Sequence, residues 1–159
     1  MTDATAHKFN SHAEFEEHLR DCLGRARATL RMFDPDFSVF PLGSSETDAA
    51  LRRFLTGGGA MQLAMHQSAY IERHYPRFMR LLREFNHKIE VRATPRSLHH
   101  LTDSFCIADG THIVRRFHSD HMRGEAAFDA PGSTELSEER FAAMWIDAVS
   151  TLHPTTTGL

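Results

Sequence analysis

Cysteine is nearly missing from this chain: its 159 residues hold two, Cys22 and Cys106. Both sit in apolar, periodic surroundings and make no disulfide framework, so a reducing compartment is expected. No apolar run reaches the roughly 18 residues that a membrane-spanning helix requires. The first residues, MTDATAHKF, carry neither the basic nor the apolar region of a secretory leader, and a cytoplasmic location is expected. Nucleotide-binding signatures are missing too, both the GxxxxGK[ST] loop and a GxGxxG following a strand. TGGGA (56–60) leads from helix to strand, the reverse of a phosphate-binding order, and reads as a helix C-cap. There is no GxSxG elbow for a hydrolase. No Cys/His cluster has zinc-like spacing; His118, Asp120 and His121 offer ligand types, but nothing makes their stretch helical, and no metal or cofactor is expected.

What is present is unevenly charged. The net charge is −3. Between Arg73 and Arg123 stand ten Lys/Arg against five Asp/Glu, or +5, with seven of the twelve histidines; the remainder has eight against sixteen, or −8. A basic, histidine-rich segment inside an acidic chain suits an anionic ligand, although scattered surface charge explains the same count.

Periodicity gives the order of elements. Residues 1–10 show none and read as a tail, as do residues 153–159, leaving one domain over 11–152. Ser11 with Glu14 forms a capping box before Phe15, Leu19, Cys22 and Leu23 at helical spacing. ATLRMF (28–33) reads as a strand closed by DPD, and Ser44 or Ser45 caps a second helix ended by Gly57, Gly58 and Gly59. AMQLAM (60–65) is the next strand. YIERHYPRFMRLLREF (70–85) has an apolar stripe of Ile71, Tyr75, Phe78, Leu82 and Phe85 and an arginine face. Its Pro76 either kinks the segment or opens a second helix. KIEVRAT (88–94) follows as a strand, then SFCIA and HIVRRF flank an Asp109-Gly110-Thr111 hairpin turn. GEAAF (124–128) adds a strand, Pro131-Gly132 closes it, and a last helix over about 136–152 buries Phe141, Met144, Trp145, Ala148 and Leu152. The phenylalanines fall at core spacing, not as a base-stacking platform. An α/β fold follows, with a mixed sheet covered by helices on both faces.

This order resembles one repeat of the phospholipase D superfamily over roughly residues 11–150, and FAAMW (141–145) resembles the Phe-x3-Trp-like pattern of the repeat's closing helix. The family carries His-x-Lys-x4-Asp, with Gly-Ser-x-Asn six residues after the Asp. Against that spacing Thr102 takes the place of the histidine, Ser104 of the lysine and Asp109 of the aspartate. Arg116, Phe117 and Ser119 stand at Gly, Ser and Asn. Moving the frame to His100 puts Thr102 at the lysine and Ile107 at the aspartate, which fits worse. The resemblance implies that the histidine attacks phosphorus and the lysine steadies the phosphoryl oxygens, whereas the Asp is largely structural. Threonine is a weak nucleophile without a base, and serine brings no positive charge. The expectation is a vestigial site of Thr102, Ser104 and Asp109 without hydrolysis.

Binding is the function that remains: a phosphate-bearing ligand or a protein partner. Open α/β sheets hold ligands beyond the carboxyl ends of their strands. His66, Thr94, Arg96, His99 and His100 lie at such ends, and Arg116 and His118 come from the second arm of the hairpin, so His66, Arg96, His99, His100, Arg116 and His118 form the candidate anion site. Two other readings stay open. One is a phosphodiesterase or nuclease whose nucleophile has moved to His100 or His66. The other is a structural module working beside another enzyme. Because catalytic members of the resembled family set two repeats face to face, the resemblance also implies a homodimer.

Overall fold

The computed structural model describes residues 6–152. Among them, eight strands form one sheet: β1 (Ala6–Phe9), β2 (Thr29–Phe33), β3 (Ala60–Met65), β4 (Ile89–Ala93), β5 (Ser104–Ala108), β6 (His112–Arg116), β7 (Gly124–Ala127) and β8 (Val149–Ser150). Their spatial order is β1-β7-β6-β5-β2-β3-β4-β8. Only β2, β3 and β4 run parallel to one another; each remaining pairing is antiparallel. Helices α1 (His12–Arg25), α2 (Ser45–Thr56), α3 (Ala69–His74), α4 (Pro76–Glu84) and α5 (Pro131–Asp147) fill the connections.

Strand alternation sorts the side chains onto two unequal layers. Leu30, Met32, Met61, Leu63, Ile89, Val91, Cys106 and Val114 pack against Phe15, Leu19, Leu51, Phe54, Ile71, Phe78 and Leu82 of α1 to α4. Phe33, Ala64, Phe105, Ile107 and Ile113 face the other way, toward Phe141 and Met144 of α5. Four helices therefore cover one face and a single helix the other.

Local chemistry explains most boundaries. The Ser11 hydroxyl accepts from the Glu14 N–H at 3.2 Å, while the Glu14 carboxylate accepts from the Asn10 N–H at 3.0 Å. Ser44 caps α2 through the Thr47 N–H at 3.1 Å. Pro76 opens α4 at its first position, where a missing N–H costs nothing. Asp109 (φ 56°) and Gly110 (φ 69°) are both left-handed, the backbone of a type I′ hairpin turn.

Two stretches differ from the sequence reading. Residues 6–9, read as tail, form β1: Phe9 is buried, aligned with Gly124 of β7, where an added Cβ would run into the Phe9 ring and the Arg115 carbonyl. The last helix begins at Pro131 and ends at Asp147, after which Val149 and Ser150 turn back as β8 against β4. Pro131-Gly132, read as a closing turn, is the helix's first turn. Residues 1–5 and 153–159, the outer parts of the expected tails, lie outside the described residues.

Candidate functional site

The topology gathers the sequence-predicted residues at one end of the sheet. The carboxyl ends of β2, β3 and β4 meet the amino end of β5 and the carboxyl end of β6 there. Asp34, His66, Thr94, Ser104, Arg116 and the loops 94–103 and 117–123 all emerge at that end. Alternation then divides them between the two faces.

On the four-helix face, Ser104 and Arg116 are cross-strand neighbours. Arg116 Nη2 donates to Asp34 Oδ1 at 3.1 Å, and the two side chains are 1% and 2% exposed. Arg116 Nη1 also reaches the carbonyls of Ser119 and His121, each at 3.3 Å, and the guanidinium lies 5.5 Å from the Phe15 ring centre. Burial pushes the Asp34 carboxyl up from its usual range, while the N–H groups of Phe37 and Asp36 and the charge of Arg116 pull the other way. Arg116, expected as a donor in an open crevice, is thus committed to an internal ion pair. Ser104 beside it is fully buried, and neither its hydroxyl nor Arg116 Nε has a partner among the described residues.

On the α5 face, His66 packs edge-on against Phe33, with ring centres 5.4 Å apart. Its Nε2 lies 2.7 Å from the Leu101 carbonyl, which can only accept, so Nε2 carries the proton. Nδ1 then accepts from the Thr94 hydroxyl at 2.6 Å. Burial, reinforced by His99 and His100 and opposed by the Leu101 hydrogen bond, holds the imidazole below its usual pKa. His66 is a neutral clasp that ties loop 94–103 to the sheet, with both nitrogens engaged. His99 lies over it, ring centres 4.6 Å apart, and is exposed, as are Arg96 and His100. Arg96 and His99 have no side-chain hydrogen bond among the described residues, and His100 Nδ1 meets the Ser97 carbonyl at 3.1 Å.

The remaining candidates lie apart. Asp109 is at the opposite end of β5, about 16 Å from Ser104 at strand rise. Its carboxylate accepts from the N–H groups of Arg27, Ala28 and Thr29 at 2.8 to 3.3 Å. Partial burial works against the charge, but these donors outweigh it and keep its carboxyl below the usual range. Thr102 holds the hairpin loop by its carbonyl, which accepts from the Ser119 N–H at 2.7 Å. His118 Nδ1 accepts from the Asp120 N–H and His121 Nδ1 from the Arg123 N–H, so the two rings, 5.7 Å apart, brace their own loop. Among the described residues no three His, Cys, Asp or Glu side chains converge as a metal site. Sequence reasoning missed Asp34, taken as a turn residue; the one available signal is its setting in MFDPDF, an acid between buried phenylalanines.

This architecture is a phospholipase-D-like fold. It superposes with a TM-score of 0.68 on the phospholipase D family member Nuc from Salmonella typhimurium, at 14% identity over 92% of this chain and 97% of that one. NucT from Helicobacter pylori gives 0.60 at 12% identity, over 92% and 98%. TrmBL2, an archaeal chromatin protein with a novel mode of DNA binding, gives 0.69 at 13% identity, with 95% of this chain covering 56% of that one. No curated protein matches the chain in sequence. Residues 11–153 match the family described as a domain of unknown function, DUF7931, and the chain belongs to it. No helix among the described residues is long and apolar enough to cross a membrane.

Proposed function

We propose that this is a non-catalytic phospholipase-D-like module of the cytoplasm that binds a phosphate-bearing ligand at the carboxyl end of its sheet. The Asp34–Arg116 pair carries the reading. It fills the four-helix side of that end with a buried ion pair beside Ser104, where the family motif has lysine, so a phosphoryl group would have to displace a guanidinium from its carboxylate. The α5 side is left for binding. There Arg96, His99 and His100 stand on one short loop, held by His66 and Thr94. Arginine fits two phosphate oxygens with its planar fork, and the histidine rings offer N–H donors beside it.

Hydrolysis would rest on His100, because His66 has no free nitrogen. Among the described residues the His100 side chain hydrogen-bonds only the Ser97 carbonyl, which leaves Nε2 unprotonated but supplies no carboxylate to raise its nucleophilicity. We further propose a homodimer through the groove of about 650 Å³ at the β1–β7 edge. Lys8, Arg123, Glu14 and Glu125 line it together with Phe117, 46% exposed, so a two-fold axis could set unlike charges around an apolar centre.

Titrating the protein with inorganic phosphate, followed by amide NMR at pH 6 and pH 8, tests the binding. Millimolar binding, weakened by salt and removed by Arg96→Ala with His99→Ala but not by Arg20→Ala with Arg53→Ala, is expected. Absence of binding at millimolar phosphate, or equal loss in the control pair, overturns it. Turnover of bis(p-nitrophenyl) phosphate abolished by His100→Ala would make the protein an enzyme instead.

A further inference from the structure

The outer side of the four-helix layer carries a feature that neither the fold nor the crevice explains. Arg73 of α3 and Arg77, Arg80 and Arg83 of α4 are all exposed. Among the described residues none of them pairs with a carboxylate. The acids of these helices are taken elsewhere: Glu72 accepts from the Ser68 hydroxyl at 2.9 Å, and Glu84 is bound by Arg52 of α2. Arg77 alone is tethered, donating to the Gly43 carbonyl at 2.7 Å. Helix stability does not call for this arrangement. Like charges three or four residues apart repel, and Arg77 stands in the first turn of α4, which has no acid, where the helix dipole disfavours a cation.

We infer that this arginine strip is a docking surface for the phosphate backbone of a nucleic acid, separate from the crevice. Charge and shape select the partner. Arg77, Arg80 and Arg83 span about 9 Å of α4, at about 1.5 Å per residue, and Arg73 stands on the preceding helix. A duplex strand carries one charge per about 3.4 Å of axis, so the α4 arginines span roughly three phosphates. The large exposed apolar side chains, Phe117, Leu136, Ile146 and Val149, all lie on other elements. The strip therefore has no apolar anchor for a bilayer and no apolar centre for a protein interface. The topology also gives it direction. α3 starts just after β3 at the crevice end, and α4 leads back to the opposite end of β4, so a bound strand would run away from the crevice along the outside of the layer.

Fluorescence anisotropy with a labelled 20-base-pair duplex of arbitrary sequence, from 50 to 200 mM salt, tests this independently of phosphate binding in the crevice. Arg77→Ala, Arg80→Ala and Arg83→Ala together should weaken binding at least about tenfold at 50 mM salt, and lower the slope of log K against log salt by about 2 to 3. The same three positions changed to Lys should keep most of the slope, since phosphate contacts need charge more than a fork. The control triple Arg20→Ala, Arg27→Ala, Arg53→Ala removes equal charge from other elements and should leave the slope near wild type. Circular dichroism checks that each variant is folded; if the Ala triple unfolds, the comparison rests on Arg80→Glu, expected to weaken binding by more than Arg20→Glu. Equal losses in strip and control variants, or no duplex binding at 50 mM salt, overturn the inference. So does strip-dependent binding to phosphatidylserine vesicles without binding to the duplex, which would make the surface a membrane contact.

Discussion

The two faces of the sheet treat their polar residues in opposite ways at the same end of the molecule. On the four-helix face a guanidinium and a carboxyl group are sealed from water, and Arg116 is spent on Asp34 and on loop carbonyls. On the α5 face the half-buried polar residue at this end is an imidazole with both nitrogens engaged, and Arg96, His99 and His100 on the loop above it are exposed. The difference follows from coverage. Four helices and the 34–44 loop close one side, so Arg116 takes its partners from within the protein while its Nε and the Ser104 hydroxyl are left without one among the described residues; one helix leaves the rim of the other side open. A single sheet end thus carries a sealed half and an open half, and only the open half has side chains free to meet a ligand.

The sharpest way to break the comparison is to remove one member of the sealed pair. Arg116→Ala should cost about 3–5 kcal/mol, because it leaves Asp34 buried without a counter-charge. Arg116→Met combined with Asp34→Asn should recover part of that loss, since it removes the unpaired charge while the Asn side-chain oxygen still accepts from the Asp36 and Phe37 N–H groups. Urea unfolding measures both. If Arg116→Ala costs less than about 1 kcal/mol, the typical range for an exposed ion pair, the pair is not sealed and the contrast between the faces fails.

What could be read from the sequence was local chemistry. Ser11 with Glu14, Ser44, Pro76 and Asp109-Gly110 each set a backbone geometry through neighbours a few residues away, and each does so in the structure. ATLRMF and AMQLAM likewise read as strands, and they form β2 and β3. What could not be read depended on partners distant in sequence. AHKF has no apolar alternation, and becomes a strand because β7 is beside it and Phe9 finds a place over Gly124. Arg115 and Arg116 look equivalent in HIVRRF, yet alternation turns one outward and the other inward, and the inward one meets an acid 82 positions earlier. His66 was legible as a strand-end histidine; that Leu101 and Thr94 would take both its nitrogens was not.

A smaller effect belongs to the far end of the sheet, where Asp109 is a scaffold carboxylate outside either half. Asp109→Asn keeps its size but removes the charge that several backbone N–H groups share, and should cost about 1–3 kcal/mol at neutral pH. The sign with pH is set by its lowered folded-state pKa: the stabilisation is present above the unfolded value near 4 and is lost as pH falls through the folded value. The difference between wild type and Asp109→Asn should therefore shrink as unfolding is measured at successively lower pH. A constant difference from pH 7 down to pH 3 would mean that the charge contributes nothing and only the shape of the side chain matters.

The smallest effect tests the open half through His66. Its folded-state pKa is lowered, so the unfolded chain takes up a proton more readily than the folded one. Stability from this residue is fully present above the unfolded value near 6.5 and is lost as pH falls through the folded value. Protonation would also set a second ring N–H against the Thr94 hydroxyl, which would then have to turn and accept. His66→Gln keeps a donor and an acceptor but cannot titrate. Between pH 7.5 and pH 5 the wild type should lose stability relative to His66→Gln by up to about 1 kcal/mol, and chemical-denaturation midpoints at four or five pH values would show it. The clasp also holds the loop that carries Arg96 and His99, so opening it at low pH should weaken phosphate binding. Affinity for phosphate in the wild type should then fall relative to His66→Gln as pH drops below about 6. Parallel pH curves for the two proteins would show that the clasp and the exposed loop are uncoupled, and that the open half does not depend on the half-buried imidazole beneath it.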